Sequence, residues 1–251
     1  MVTLDGCAGV VTGADGDFGR EIALELAREG AHLLLLDDDA DALKTLVIAI
    51  AADGRRSTSA RVDSTDAFTL DSAIRSFEAE HRPFDFLVAA TEEIESTGFG
   101  EGDPDRWHSL ADVNILDALF AVRATLPSLL ANGMGHIVLL GSVAGRKACR
   151  DAALYCATKR AVTDLGHALR AEGESPGVAA TIVEPGASLL SDARSWLSHT
   201  QPESGGGMGR AAARTVVFVL TQPLNASITD VVVRGPLADN SESSSPGKEP
   251  S

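Results

Sequence analysis

The stretch AGVVTGADGDFGREIALELAR, residues 8–28, decides the fold. Ala8 to Val11 form a short apolar run of the kind that fills a strand buried on both faces. Gly13, Gly16 and Gly19 come next, and from Arg20 to Arg28 apolar residues recur at three and four, as on one face of a helix. A glycine-rich turn between a buried strand and a helix N-terminus lets backbone approach a pyrophosphate, whose charge is favoured by free N–H groups and the helix dipole. Tight turns need glycine with or without a ligand, so this turn is informative only in combination with the second strand and the catalytic residues beyond it.

The alternation continues outward. Strand-like runs are read at Ala8 to Val11, His32 to Leu36, Phe84 to Ala90, Ile137 to Leu140, Val178 to Val183 and Ile228 to Val233, with a weaker one near Thr58 to Val62. Helical periods lie between them at Arg20 to Arg28, Ala40 to Ala51, Ala67 to Glu80, Ala111 to Leu130, Ala152 to Ala171 and Arg210 to Leu220. Strand and helix repeated in this way predict an α/β fold, a parallel sheet of about seven strands with right-handed crossovers and helices on both faces. One domain is expected over residues 1–235. The tail 236–251, PLADNSESSSPGKEPS, is rich in Ser, Pro and acid and is expected to be disordered. Ser204 to Gly209, SGGGMG, suits a mobile loop beyond the strand ends.

Composition narrows the function. Hydrophobic residues are 44% of the chain and aromatics only 4%, so the core must be built from Ala, Val, Leu and Ile. A formal charge of −15 repels phosphate backbones and anionic lipid, which argues against nucleic-acid and membrane partners and for a small-molecule substrate held locally. Cys7, Cys149 and Cys156 make an odd count without a Cys-x-x-Cys pair, pointing to a reducing compartment. With no basic N-terminal leader and no apolar run of membrane-spanning length, a cytoplasmic protein is expected. The six histidines have no metal-ligand spacing, so no metal site is inferred.

The second strand ends LLLLDDD and places Asp37 about 20 residues after the glycine turn, where an acid accepts hydrogen bonds from ribose hydroxyls. Asp38 and Asp39 come directly after it, and with no Arg or Lys expected nearby a 2′-phosphate brought to the three carboxylates would be repelled, so NAD(H) is expected over NADP(H). Asp38 or Asp39 also suits the N-cap of the next helix.

Residues 141–162, GSVAGRKACRDAALYCATKRAV, carry Ser142, Tyr155 and Lys159, with thirteen positions from the serine to the tyrosine and four from the tyrosine to the lysine. Residues four apart share a helical face. The set resembles the catalytic Ser, Tyr-x-x-x-Lys and upstream Asn of the short-chain dehydrogenase/reductase family, which implies a Rossmann-like doubly wound sheet and Asn114 as the fourth member. In such a site the ammonium and a positive nicotinamide would stabilise the phenolate, bringing Tyr155 into a useful range as acid/base while Ser142 holds the reacting oxygen. The resemblance further implies cofactor contacts from Thr12, Gly13, Asp17, Phe18 and Gly19 in the first turn and from Asp63 and Ser64 at the adenine. It also implies contacts from Ala89 and Ala90 after the fourth strand, from Tyr155 and Lys159, and from Pro185, Gly186 and Ser188 after the sixth strand. A homodimer or homotetramer through the long helices is implied as well.

Three departures stand out. Asp17 replaces the middle glycine of the family's turn, either capping the helix or crowding the pyrophosphate. Ala89-Ala90-Thr91-Glu92 replaces the usual Asn-Asn-Ala-Gly, losing an asparagine that ties central strands together, and Glu92 and Glu93 form a solvated loop or reshape the crevice. Leu190 stands where many relatives have threonine, with Ser191 as a substitute. Cys149 and Cys156 read as small hydrophobes, and Trp107 and Trp196 as packing residues, Trp196 within the segment that would set substrate choice. The expected activity is hydride transfer between NAD(H) and a small secondary alcohol or ketone. The alternative is a non-redox enzyme on the same scaffold, such as a cyclase, dehydratase or epimerase, or a cofactor-poor binding subunit.

Overall fold

The computed structural model describes residues 3–63, 65–133, 135–147, 149–172, 177–186, 207–223 and 226–234. Seven strands, β1 (Ala8–Thr12), β2 (His32–Asp37), β3 (Ser57–Arg61), β4 (Phe86–Ala89), β5 (Gly135–Leu140), β6 (Val178–Gly186) and β7 (Asp230–Arg234), form one sheet in the order β3-β2-β1-β4-β5-β6-β7. All pairings are parallel. Among the described residues seven α-helices accompany them: α1 (Asp17–Arg28), α2 (Ala40–Ala52), α3 (Ala67–Glu80), α4 (Pro104–Ala111), α5 (Asp117–Ala131), α6 (Ala153–Glu172) and α7 (Gly207–Leu220). Successive strand residues point to opposite faces, so each strand feeds two cores. Val11, Leu33, Leu35 and Val88 pack with α1, α2 and α7, whereas Val10, Leu34, Leu36 and Leu87 pack with α3, α5 and α6. That double burial is why the second strand reads as an unbroken LLLL.

The sheet order reverses between β1 and β4, which lie side by side although α1, β2, α2, β3 and α3 separate them in sequence. Beyond the carboxyl ends of such a pair, connections part to opposite sides and leave a crevice.

Several helical boundaries differ from expectation, α1 among them, which starts at Asp17 and not at Arg20. The helix expected from Ala111 starts at Pro104, where Asp103 accepts from the Asp105 N–H at 3.0 Å and proline takes the first turn, the usual N-terminal signal. Its run to Ala131 is broken by a π turn, Asp112–Leu116. By length and composition, Pro104–Ala131 passes for a membrane span, contrary to expectation, but Asn114, Asp117, Ala121 and Leu129 are buried against the fold and mark it as a core helix. The last helix begins at Gly207, inside the segment expected to be a mobile loop. Residues 235–251, and 204–206 of that segment, lie outside the described residues.

Candidate active site

The ends of β4 and β5 and the first turns of α6 converge beside the crevice. Ser142 comes after β5 in extended backbone and accepts from the Ala144 N–H at 3.2 Å, which starts a 3₁₀ turn, Val143–Gly145, that packs on α6. Tyr155 and Lys159 lie one turn apart on α6, with the ammonium 6.0 Å from the centre of the phenol ring. Ser142 shares a hydrogen bond with Tyr155. Lys159 donates to the Leu140 carbonyl at 3.2 Å. Asn114 sits in the π turn, and all four side chains are buried. The end of β5 and the start of α6 thus bring Ser142, Tyr155 and Lys159 together, while Asn114 lies against α6.

The segment after β4 supplies a group that sequence reading left unassigned. Glu92 is almost wholly buried, accepts a hydrogen bond from the Tyr155 hydroxyl and faces the Lys159 ammonium at 3.5 Å. It is therefore no solvated loop residue. Burial first, and then the Glu92 charge and hydrogen bond, raise the Tyr155 pKa well above the ordinary tyrosine value, against a smaller lowering by Ser142. This corrects the expectation of a phenolate favoured by lysine: the ammonium is paired with a carboxylate that itself opposes a second negative charge.

Asn114 does not touch that trio directly. Its Oδ1 accepts from the Glu93 N–H at 2.8 Å, and its Nδ2 donates to the Glu93 carbonyl at 2.8 Å and to Thr158 Oγ1 at 3.2 Å. The clamp fixes the backbone next to Glu92 against α6. The tie lost with the family's asparagine is rebuilt by Thr12, whose hydroxyl donates to buried Asp117 at 3.0 Å and accepts from Thr91 at 3.2 Å. Asp117 and Thr91 were legible only as helix and loop residues. Behind β6, fully buried Glu184 is paired with Arg146 and accepts from Thr163 at 3.3 Å, holding the strand that ends in Pro185 and Gly186.

The adjoining crevice, about 320 Å³, runs from Gly13 through Phe18 and Asp37 to Ala90 and Glu92. Its backbone fits a dinucleotide. Gly13 has φ +63° and a Cβ there would lie 2.5 Å from Thr91 backbone, while a Cβ at Gly19 would lie 1.8 Å from the Gly13 carbonyl. Only glycines allow α1 to start directly on this turn, and Gly16 heads the helix with no side-chain cap, leaving its first N–H groups to the crevice. Asp17 is exposed in the first turn and is not the N-cap. Asp37 accepts from the Asp15 N–H at 3.1 Å and the Asp38 N–H at 2.8 Å. Desolvation, with the Asp15 side chain beside it, pushes its carboxyl up to about 6. Asp39, not Asp38, caps α2.

The charges fit less well. The crevice is lined by Asp15, Asp17, Asp37, Asp38, Asp63, Glu92 and Glu93 and, among the described residues, by no basic side chain. The carboxylates of Asp15, Asp37 and Asp38 lie within 4.8 Å of one another. Asp63 is held by the Thr65 hydroxyl and N–H, which keep its carboxyl below the usual range. At the Asp37 end a cation is near: β3 runs beside β2 with Arg61 opposite Asp37, and its Nε donates to the Asp38 carbonyl at 2.9 Å. Sequence distance concealed this guanidinium, and the expectation of no base near the acids is corrected accordingly. Ser64, Ser188, Leu190, Ser191 and Trp196 lie outside the described residues. Trp107 packs on Phe99, and Cys156 is buried beside Tyr155 in a small apolar cluster.

Comparison with known proteins agrees with this arrangement. The profile of the short chain dehydrogenase family matches residues 8–201. The chain is 30% identical over 237 residues to the glycine betaine reductase of Emericella nidulans, covering 92% of this chain but only 19% of that much longer protein. It is 29% identical to an uncharacterised oxidoreductase of Staphylococcus saprophyticus, over 93% of this chain and 99% of that one. Among solved structures, a metagenomic short-chain oxidoreductase in complex with NADP superposes with a TM-score of 0.81 at 26% identity, covering 94% of this chain and 99% of that one.

Proposed function

The chain belongs to the short-chain dehydrogenase family, and from that premise we propose that it exchanges a hydride between NAD(H) and a small carbonyl compound or secondary alcohol, with Tyr155 as the proton donor. The observation that carries this reading is the convergence of Ser142, Tyr155 and Lys159 beside an uncapped helix N-terminus. When bound, the nicotinamide supplies or accepts the hydride. Gly13 to Gly19 would hold the pyrophosphate on backbone N–H groups, and Asp37 would accept from a ribose hydroxyl. The acids around Asp37 support NAD(H) over NADP(H), with Arg61 as the group that opposes that preference.

The chain's own residues manage the proton. Ser142 positions the substrate oxygen beside the Tyr155 hydroxyl, and in reduction that oxygen takes the phenolic proton as its carbon becomes a carbinol. Glu92 and burial keep the hydroxyl protonated and disfavour the phenolate that would serve as base in alcohol oxidation. Lys159, paired with Glu92, offsets the negative charge that remains on the phenolate and carboxylate after transfer.

Glu92 also supports a second reading, non-redox acid/base chemistry in which the Glu92 carboxylate and the Tyr155 hydroxyl act as base and acid on one substrate. The two readings diverge in a binding experiment. NADH titrated by fluorescence, with NADPH as control, is expected to bind in the micromolar to submillimolar range, whereas no binding of either nucleotide at millimolar concentration would leave only the second. Tyr155→Phe is expected to lower turnover by roughly 10²- to 10⁴-fold while sparing NADH affinity. Tighter NADPH than NADH would overturn the role given to Asp37. Three free thiols support a reducing, cytoplasmic setting, and the exposed Leu119 and Leu130 of α5 support a homo-oligomer.

A further inference from the structure

A further cavity, about 180 Å³, is walled by Glu95, Thr97, Phe99, Trp107, Leu154 and Tyr155. Its surface is mainly apolar and aromatic, with Phe99 and Trp107 stacked at 5.2 Å between ring centres. Three carboxylates come after β4 in quick succession. Glu92 is paired with Lys159 and Glu93 with Arg106, whereas Glu95 meets no basic side chain among the described residues. One oxygen of Glu95 is out of solvent and has no hydrogen-bond partner. A carboxylate in such surroundings is costly unless a cation or a donor compensates it.

Resting on the assignment of Tyr155 as the reacting acid, we propose that this cavity takes the ammonium group of the substrate, so that the enzyme acts on small carbonyl compounds or alcohols that carry an organic cation near the reacting oxygen. Glu95 supplies the counter-charge and Trp107, with Phe99 stacked on it, the aromatic face that attracts a cation. The wider field acts in the same sense, since a chain of charge −15 with an acidic crevice next to the site concentrates cations and repels carboxylate-bearing substrates. Because Tyr155 lines the cavity, a cation seated against Glu95 lies beside the acid that would protonate its carbonyl.

The test separates charge from shape. Choline and its neutral isostere 3,3-dimethylbutan-1-ol are titrated calorimetrically into the full-length protein, with and without NADH. Choline is expected to bind about ten-fold or more tighter than the isostere, and Glu95→Gln, which keeps the side chain's size, is expected to bring the two within about two-fold. Trp107→Leu is expected to weaken choline more than the isostere, and circular dichroism checks that each variant is folded. Equal binding of the two alcohols by the unmodified protein, or an undiminished preference in folded Glu95→Gln, overturns the proposal. A choline preference in a protein that reduces no carbonyl with NADH supports the cation site and overturns only the redox reading. Turnover of neutral ketones with no preference for their ammonium analogues overturns only the cation site.

Discussion

Glu92 stands where the family pattern resembled in the sequence has glycine, and it changes the surroundings of Tyr155 and Lys159. A glycine there leaves lysine and tyrosine to each other; a carboxylate there takes the tyrosine's proton as a hydrogen bond and the lysine's charge as an ion pair. Glu92→Gly is therefore expected to lower the Tyr155 pKa and to move the alkaline limb of the pH profile to lower pH. It should also raise the rate of alcohol oxidation at pH 8 relative to carbonyl reduction. Profiles of kcat/KM in both directions check this, and an unchanged limb would show that Glu92 swings away in the working enzyme. Asp37 gives a second residue-scale prediction. Its carboxyl titrates near 6 in the folded chain against 3.8 in an unfolded one, because it is partly desolvated beside Asp15. A raised folded pKa contributes stability that is fully present below 3.8 and is lost as pH rises through 6, so ionised Asp37 is a cost at neutral pH. Asp37→Asn is expected to stabilise the fold by about 1 kcal/mol at pH 7, after solvent screening, and by much less at pH 4. Thermal melts at the two pH values measure the difference, and weaker NADH binding by the variant would show that the strain serves the ligand.

At the scale of elements, the π turn Asp112–Leu116 is what brings Asn114 to the backbone of Glu93. A π turn inserts a residue into the helical period, and apolar spacing averaged over two turns does not register it. Asn114→Ala removes partners from a part-buried N–H and a part-buried carbonyl and is expected to destabilise the protein by about 1–2 kcal/mol in urea unfolding. Its kcat should also fall, since the clamp that sets Glu92 is lost. A variant that loses stability but keeps both kcat and its pH profile would confine Asn114 to a structural role. The same helix shows the limit of periodicity at its start: Asp103 and Pro104 are a cap signal that the apolar pattern from Ala111 onward overshadowed.

Across the whole molecule, net charge and crevice charge have one sign. Binding an anionic dinucleotide to such a surface is opposed by a field that salt screens over about 10 Å at 0.1 M. NADH affinity is accordingly expected to rise between about 10 and 150 mM NaCl, and NADPH affinity to rise more steeply because of its extra phosphate. Titrations at several ionic strengths check this; affinity that falls with salt would mean that Arg61 or another cation dominates the local field.

The α/β fold was readable from residues 8–28 and the alternation beyond them because a parallel sheet buried on both faces demands continuous apolar strands and amphipathic crossovers, and both have short periods. Ser142, Tyr155 and Lys159 were equally readable, their spacing being set by one helix and the strand before it. The tertiary structure alone decided what surrounds them. Arg61 reaches Asp38, Glu92 reaches Tyr155 and Asp117 reaches Thr12 across 23, 63 and 105 positions of sequence, through sheet pairing and helix packing that no local pattern encodes. Protonation and charge balance depend on such long-range neighbours and on burial, so the chemical character of the site became definite only when the chain was folded.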